Sequence, residues 1–315
     1  MGDLFGSVAL ADECQRQTDE VLFVISGGSE TVAALIERGY AYSVVGSLKA
    51  ELEILQAFRP DVIVVNKLNN QPAYIQSLRS LAPLIVTIDD AGQGAIHADL
   101  NINVLYPAPG AITDLQYLAL RREFQEFHES ERAISSDVRE LLVTQGGSDT
   151  YGFTPRILRT FDDMALRPHC TVVLGPAFRH YGELEEAVNA STLDLTIVRN
   201  ARNIVELMWQ ADLAITAGGL TMFELCCVGT PSLVVCGERF EVATAERLEQ
   251  AGVVVNLGFG GGLDYAALPR AVEALAADVE KRRRMGVRGR ELVDGRGAER
   301  VVRLLRERLA RVEIG

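Results

Sequence analysis

Two glycine pairs are the places in this chain where chemistry is most easily imagined. In Asp212-Leu-Ala-Ile-Thr216, running into Ala217-Gly-Gly-Leu-Thr-Met-Phe-Glu224, a short apolar strand ends in Gly218 and Gly219. An apolar-periodic helix (Met222, Leu225, Cys226, Val228) begins at once. Glycines carry no Cβ, so a phosphate can come close to their backbone. The helix N-terminus beyond offers amide donors and the positive end of the dipole. Glu224 follows one turn inside, within reach of a sugar diol, so a diphosphate joined to a ribose fits the pattern. Thr221-x-x-Glu224 is also the signature of a capping box, with Thr221 bonding a helical amide and Glu224 reaching back.

The second pair lies in Thr144-Gln-Gly-Gly-Ser-Asp149, where Gly146 and Gly147 follow another apolar run. Ser148 is a donor and Asp149 an acceptor ahead of a helix expected near Thr154-Pro155, with Thr at the cap and Pro early in the helix. Either pair alone could be a plain strand-to-helix turn. Two of them at strand ends in one domain point to a shared phosphate site. Residues 203–208 form a short helix whose N-terminal backbone, near Ile204, could meet a base edge, while Ile204, Leu207 and Met208 read as core. Asp89 and Asp90 end a strand, where they could bind a metal or a substrate hydroxyl, or cap the next turn. His97, His128, His169 and His180 lack ligand spacing and triad partners, and no G-x-S-x-G, HExxH or Walker pattern is present. No metal or cofactor is expected.

The elements that must position these residues are short β-branched runs alternating with helical patterns. They fall at 20–25, 61–66, 84–89 and 99–104 in the first half. In the second half they fall at 140–144, 170–174, 193–198, 212–216, 232–235 and 253–256. Strands apolar nearly throughout and separated by helices indicate parallel sheets covered on both faces. The polar stretch 121–131 after a Pro/Gly loop sets a boundary, giving domains at 1–132 and 133–315. The expected fold is α/β, with two Rossmann-like doubly wound domains facing a cleft where ligands meet the carboxyl ends of strands. A helix over 4–16 opens the chain with no strand before it. The first strand of the N-terminal domain is therefore missing, or encoded upstream of an internal methionine.

The composition sets outer bounds. A chain of 315 residues, 48% hydrophobic and 23% charged, has enough material for two full cores. A net charge of −12 argues against nucleic acid, because no basic stripe exists to meet phosphates. The runs Lys281-Arg-Arg-Arg284 and 300–311 read as solvated helix faces. Five cysteines without CxxC spacing read as buried thiols of a reducing compartment. No run approaches the ~18 apolar residues of a membrane span. An acidic N-terminus argues against a signal peptide, so a cytoplasmic protein is expected.

Leu142-Val-Thr-Gln-Gly-Gly-Ser-Asp149, the 211–224 segment, Leu292-Val-Asp-Gly-Arg-Gly-Ala-Glu-Arg-Val301, Tyr117-Leu-Ala-Leu-Arg-Arg-Glu-Phe124 and Thr87-Ile-Asp-Asp90 together resemble one family. It comprises the nucleotide-sugar hydrolases of pseudaminic acid biosynthesis and related spore-coat-polysaccharide glycosyltransferase-like proteins. The resemblance implies a GT-B architecture with a UDP-sugar as ligand. Gly218, Gly219, Leu220 and Thr221 would meet the diphosphate, Glu224 the ribose, and the Ile204 backbone the uracil. Gly146, Gly147 and Ser148 would close on the phosphate, and the helix after Gly297 would cross back to the first domain.

The chain departs from the family at three positions. Gly2-Asp3 stands where the family has a Gly-His pair serving as base, making Asp3 the candidate base here. Asn66-Lys67 replaces an Asp-His pair, and Phe240-Glu241 replaces an Asn-Gln pair that contacts sugar or phosphate. Asn66 and Asp89 could shape the sugar pocket. The resemblance implies hydrolysis of the anomeric C–O bond of a UDP-acetamido-type sugar. The alternatives are an inverting glycosyltransferase on the same scaffold and a catalytically impaired nucleotide-sugar binder that partners a sugar-modifying enzyme.

Overall fold

The computed structural model describes residues 2–26 and 28–314, and its chain gathers into two compact units. One unit comprises residues 3–121 together with 296 onward, and the other residues 122–295.

The first unit runs α1 (Gly2–Arg16), β1 (Leu22–Ile25), α2 (Ser29–Glu37), β2 (Ala41–Val44), α3 (Leu48–Phe58), β3 (Val62–Val65), α4 (Pro72–Leu78), β4 (Leu84–Ile88) and β5 (Leu100–Ile102). All strand pairs are parallel, in two pieces: β1 with β2, and β3-β4-β5. The helix α1 opens the unit ahead of any strand, as the sequence indicates. Its Val8 and Ala11 pack with Leu35 and Tyr40 and against Phe23 and Ile25. Central β4 is buried at all five positions, which is why its sequence, Leu-Ile-Val-Thr-Ile, shows no polar alternation. The strand β2, Ala-Tyr-Ser-Val, escapes the sequence reading because it is half exposed and has no unbroken apolar run.

The second unit runs α5 (Arg122–Glu129), β6 (Glu140–Thr144), α6 (Phe153–Leu158), β7 (His169–Leu174), α7 (Tyr181–Ala190), β8 (Leu195–Arg199), α8 (Ile204–Gln210), β9 (Leu213–Thr216), α9 (Leu220–Val228), β10 (Ser232–Cys236), α10 (Val242–Gln250), β11 (Val255–Phe259), α11 (Leu268–Ala277) and α12 (Val279–Leu292). Its parallel sheet has the order β11-β10-β9-β6-β7-β8. One face carries a core that includes Val143, Val172, Ile215, Val235, Phe153 and Phe161. The helix α9 is buried from Met222 through Val228, so its apolar residues surround it instead of forming a stripe. Gly286 and Gly289 of α12 permit a close crossing there. A Cβ on Gly289 would lie 3.0 Å from the Cys226 carbonyl oxygen, and one on Gly286 2.8 Å from that of Gly229.

The last helix, α13 (Gly297–Ile314), belongs to the first unit. Arg300 donates to the Gln116 carbonyl at 3.1 Å and Arg306 pairs with Asp19 at 2.7 Å.

One expectation about the basic runs fails. Arg282 is fully buried, and its guanidinium donates to the carbonyls of Ser135 (2.8 Å), Ser136 (2.7 Å) and Ala276 (3.1 Å). The run 281–284 is thus three exposed cations and one interior tie that holds the entry to β6. A charge pattern shows spacing along a helix, but not which cation meets orphaned carbonyls.

Candidate functional site

The site begins with strand order. From β6 the chain steps outward to β7 and β8, returns to β9 on the other side of β6, and steps outward again to β10 and β11. The order reverses between β6 and β9, and ligands of open α/β sheets sit at such a point, beyond the carboxyl ends of the strands. Thr144 and Thr216 end these two strands in direct register. Both glycine pairs follow them, so the switch point brings together the two motifs singled out in the sequence.

The two turns touch. Gly146 has φ +72°, and a Cβ on it would lie 3.8 Å from Thr221 Oγ1 and 4.0 Å from the Ala217 Cβ. The left-handed backbone favours glycine there independently of any ligand. Gly147 packs its carbonyl against Gly175, in the loop after β7. Ser148 Oγ lies 3.1 Å from Thr150 Oγ1. Asp149, in the left-handed region at φ 41°, accepts from the Phe153 and Thr154 amides at 2.7 and 2.8 Å. Asp149 thus does the capping that the sequence assigned to Thr154, and α6 starts at Phe153 after Gly152.

The start of α9 also differs from the capping-box expectation. Gly219 is the N-cap, no side chain caps the helix, and Thr221 lies inside it. The helix starts two residues earlier than a Thr221 cap would set it, so the Gly218–Gly219 backbone leads directly into it. Leu220 and Thr221 are half-buried, and Glu224 is only 6% exposed. Ile204 begins α8 and is half-buried, as is Leu207, whereas Met208 and Val205 are buried.

Two polar side chains at the switch point were missed. Gln145, 6% exposed, has neither amide atom hydrogen-bonded, and the fully buried Thr216 Oγ1 has no partner either. The available signal was an amide placed between an apolar strand and a glycine pair.

Phe240 and Glu241 lie on a 3₁₀ turn, Arg239–Glu241, after β10. Phe240 is 47% exposed, whereas Glu241 turns its carboxylate inward. Gly237 and Glu238 donate their amides to its Oε2 at 2.8 and 3.1 Å. The nearby Cys236 thiol is pushed up to about 12 by burial and by Glu241 and Glu246.

The remaining candidates belong to the first unit. Asn66 follows β3 and donates to Ser7 Oγ of α1 at 3.0 Å. Asp89 has φ 48° and accepts from the Leu105 amide at 3.0 Å. Its neighbour Asp90 is fully buried and accepts from the Asn70 amide, the Asn70 side chain and Gly92. Both aspartates hold loop backbone. Asp3 falls in the first turn of α1, and its side chain lies outside the described residues.

The histidines are dispersed: His169 contacts Glu140 and Thr196, His180 contacts Glu183, and His128 contacts the Cys227 carbonyl. Among the described residues no group of three or more His, Cys, Asp or Glu could hold a metal ion. No helix among them is long and apolar enough to cross a membrane. Cys170, Cys226, Cys227 and Cys236 are buried free thiols and Cys14 is half-buried.

Comparison with known proteins places this geometry in a class. The structure is similar to MurG of Acinetobacter baumannii, with a TM-score of 0.67, 14% identity, and coverage of 97% of this chain and 96% of that one. It is also similar to the UDP-GlcNAc 2-epimerase of Neisseria meningitidis bound to UDP-GlcNAc (TM-score 0.64, 13% identity, 97% of each chain). The fold is thus that of the GT-B glycosyltransferases, two Rossmann-like α/β domains.

In sequence, the chain is 27% identical over 225 residues to the spore coat polysaccharide biosynthesis protein SpsG of Bacillus subtilis, covering 70% of this chain. It spans 66% of that relative's length and 52% of a second curated relative's. No family model matches.

Proposed function

We propose that the protein is a UDP-sugar-dependent enzyme that cleaves the anomeric C–O bond of a UDP-acetamido-type sugar and delivers the sugar to water, in surface-polysaccharide biosynthesis. The observation that carries this reading is the contact of two glycine turns at the β6/β9 switch point. Backbone amides and the positive end of α9 there suit a diphosphate, and they stabilise it most as charge develops on the leaving UDP. The sugar carbon loses the UDP oxygen and gains the oxygen of water, whose proton passes to a base. Asp3, which stands where the family carries its histidine base, is the candidate for that role. SpsG supports the polysaccharide setting, and the epimerase shows the scaffold holding UDP-GlcNAc.

The second reading is an inverting glycosyltransferase, favoured by the match to MurG across nearly the whole chain. It uses the same site, with an acceptor hydroxyl in place of water. A non-catalytic nucleotide-sugar binder that partners a sugar-modifying enzyme is the third reading, motivated by the altered positions Asp3, Asn66 and Glu241.

Calorimetry with UDP tests the site: wild type binds, and Glu224→Ala binds at least tenfold more weakly. An unchanged affinity in that variant overturns the nucleotide assignment. UDP release from a panel of UDP-sugars, with and without acceptor sugars, separates the readings. Release without acceptor that collapses in Asp3→Asn supports the hydrolase. Release that requires an acceptor supports the transferase, and tight binding without release supports the binder.

A further inference from the structure

The backbone that this reading gives to a diphosphate is already faced by a carboxylate of the same chain. Glu241 accepts from the amides of Gly237 and Glu238, and its carboxylate lies against the backbone of Gly218 and Gly219. A Cβ on Gly218 would lie 2.9 Å from the Glu241 Cβ and 3.0 Å from its Oε2, and one on Gly219 3.3 Å from its Oε1. Glu241 therefore presents both oxygens to the turn that leads into α9, at the positive end of that helix.

The local explanation for this carboxylate is a capping box with Glu238, which is present. That box accounts for the Glu238 amide. It does not account for the position of the carboxylate against Gly218 and Gly219, in the turn after a different strand, where the lack of side chains leaves it room. The Glu241 carboxyl is pushed up, by burial first and by the Glu238 carboxylate as well, against the downward pull of the backbone amides around it. Amide donors beside a glycine turn suit an oxyanion, and here they hold one supplied internally.

We propose that Glu241 is the charge-selecting residue of this site: its carboxylate occupies the anion position at Gly218–Gly219, and a diphosphate binds only by displacing it. The proposal rests on the nucleotide reading above and adds a residue that opposes the ligand. Glu241 ends the 3₁₀ turn that follows β10 and directly precedes α10, so its backbone is held at both ends. A rotation of the Glu241 side chain exchanges carboxylate for phosphate at the Gly218–Gly219 turn.

The test is calorimetry on the full chain with UDP and with uridine, which lacks the phosphates. Glu241→Gln keeps shape and acceptor while removing charge. Glu241→Met keeps length and removes both, and melting curves accompany each titration. The expected result is UDP affinity at least tenfold tighter in either variant, with uridine affinity unchanged. Equal or weaker UDP binding in both variants, with Glu224→Ala still weakening the wild type, overturns the role of Glu241 and leaves the nucleotide site standing. Absence of UDP binding in wild type and both variants overturns both.

Discussion

Replacing Gln145 by Leu should make the protein more stable and a poorer binder. The side chain is buried at the end of β6, and neither its donor nor its acceptor atom is satisfied. A buried polar group without a partner costs about 1–3 kcal/mol relative to an apolar group of similar shape. Leu removes that term at nearly the same volume. In a domain of about 150–250 residues each kcal/mol moves the melting temperature by about 2–4 °C, so a rise of about 2–12 °C is expected. Gln145 directly precedes Gly146 at the proposed phosphate turn, and UDP affinity should fall at least tenfold. Scanning calorimetry with and without UDP reads both effects, since a bound ligand raises the melting temperature by mass action. A melting temperature at or below that of wild type would show that Gln145 is satisfied in solution and would refute the argument. A higher melting temperature with unchanged UDP affinity would confine Gln145 to stability.

Two further predictions follow from close contacts in the second unit. Arg282→Ala strips three carbonyls of their donor and should cost about 3–5 kcal/mol, seen as a lower urea midpoint at unchanged slope. Arg283→Ala, at an exposed site, should stay within about 0.5 kcal/mol of wild type, and equal effects of the two would refute the interior role of Arg282. Gly218→Ala places a Cβ 2.9 Å from Cys236 Sγ and should cost about 1–3 kcal/mol while abolishing UDP binding. Gly182→Ala meets no atom within 4 Å and serves as the control; full UDP affinity in Gly218→Ala would remove that turn from the site.

The amino-acid sequence by itself determined the α/β alternation, because strands buried on both faces are nearly continuous apolar runs that admit only an occasional threonine, as in Leu84–Ile88 and Leu213–Thr216. It also marked both glycine pairs, since a Cβ-free turn between strand and helix leaves a local signature. Tertiary structure alone decided what surrounds them. The register of Thr144 with Thr216 brought the two turns into contact, and the strand order turned them into a switch point. The same packing moved the start of α9 to Leu220, so that Gly219 displaces Thr221 as the cap, and gave the capping of α6 to Asp149. It buried one arginine of a basic run. It also turned Glu241, a surface-like residue in a charged segment, against the Gly218–Gly219 turn. Each of these depends on groups distant in sequence meeting in a low-dielectric interior, where an amide, a carbonyl or a carboxylate must find a partner, and short-range patterns carry no record of those meetings.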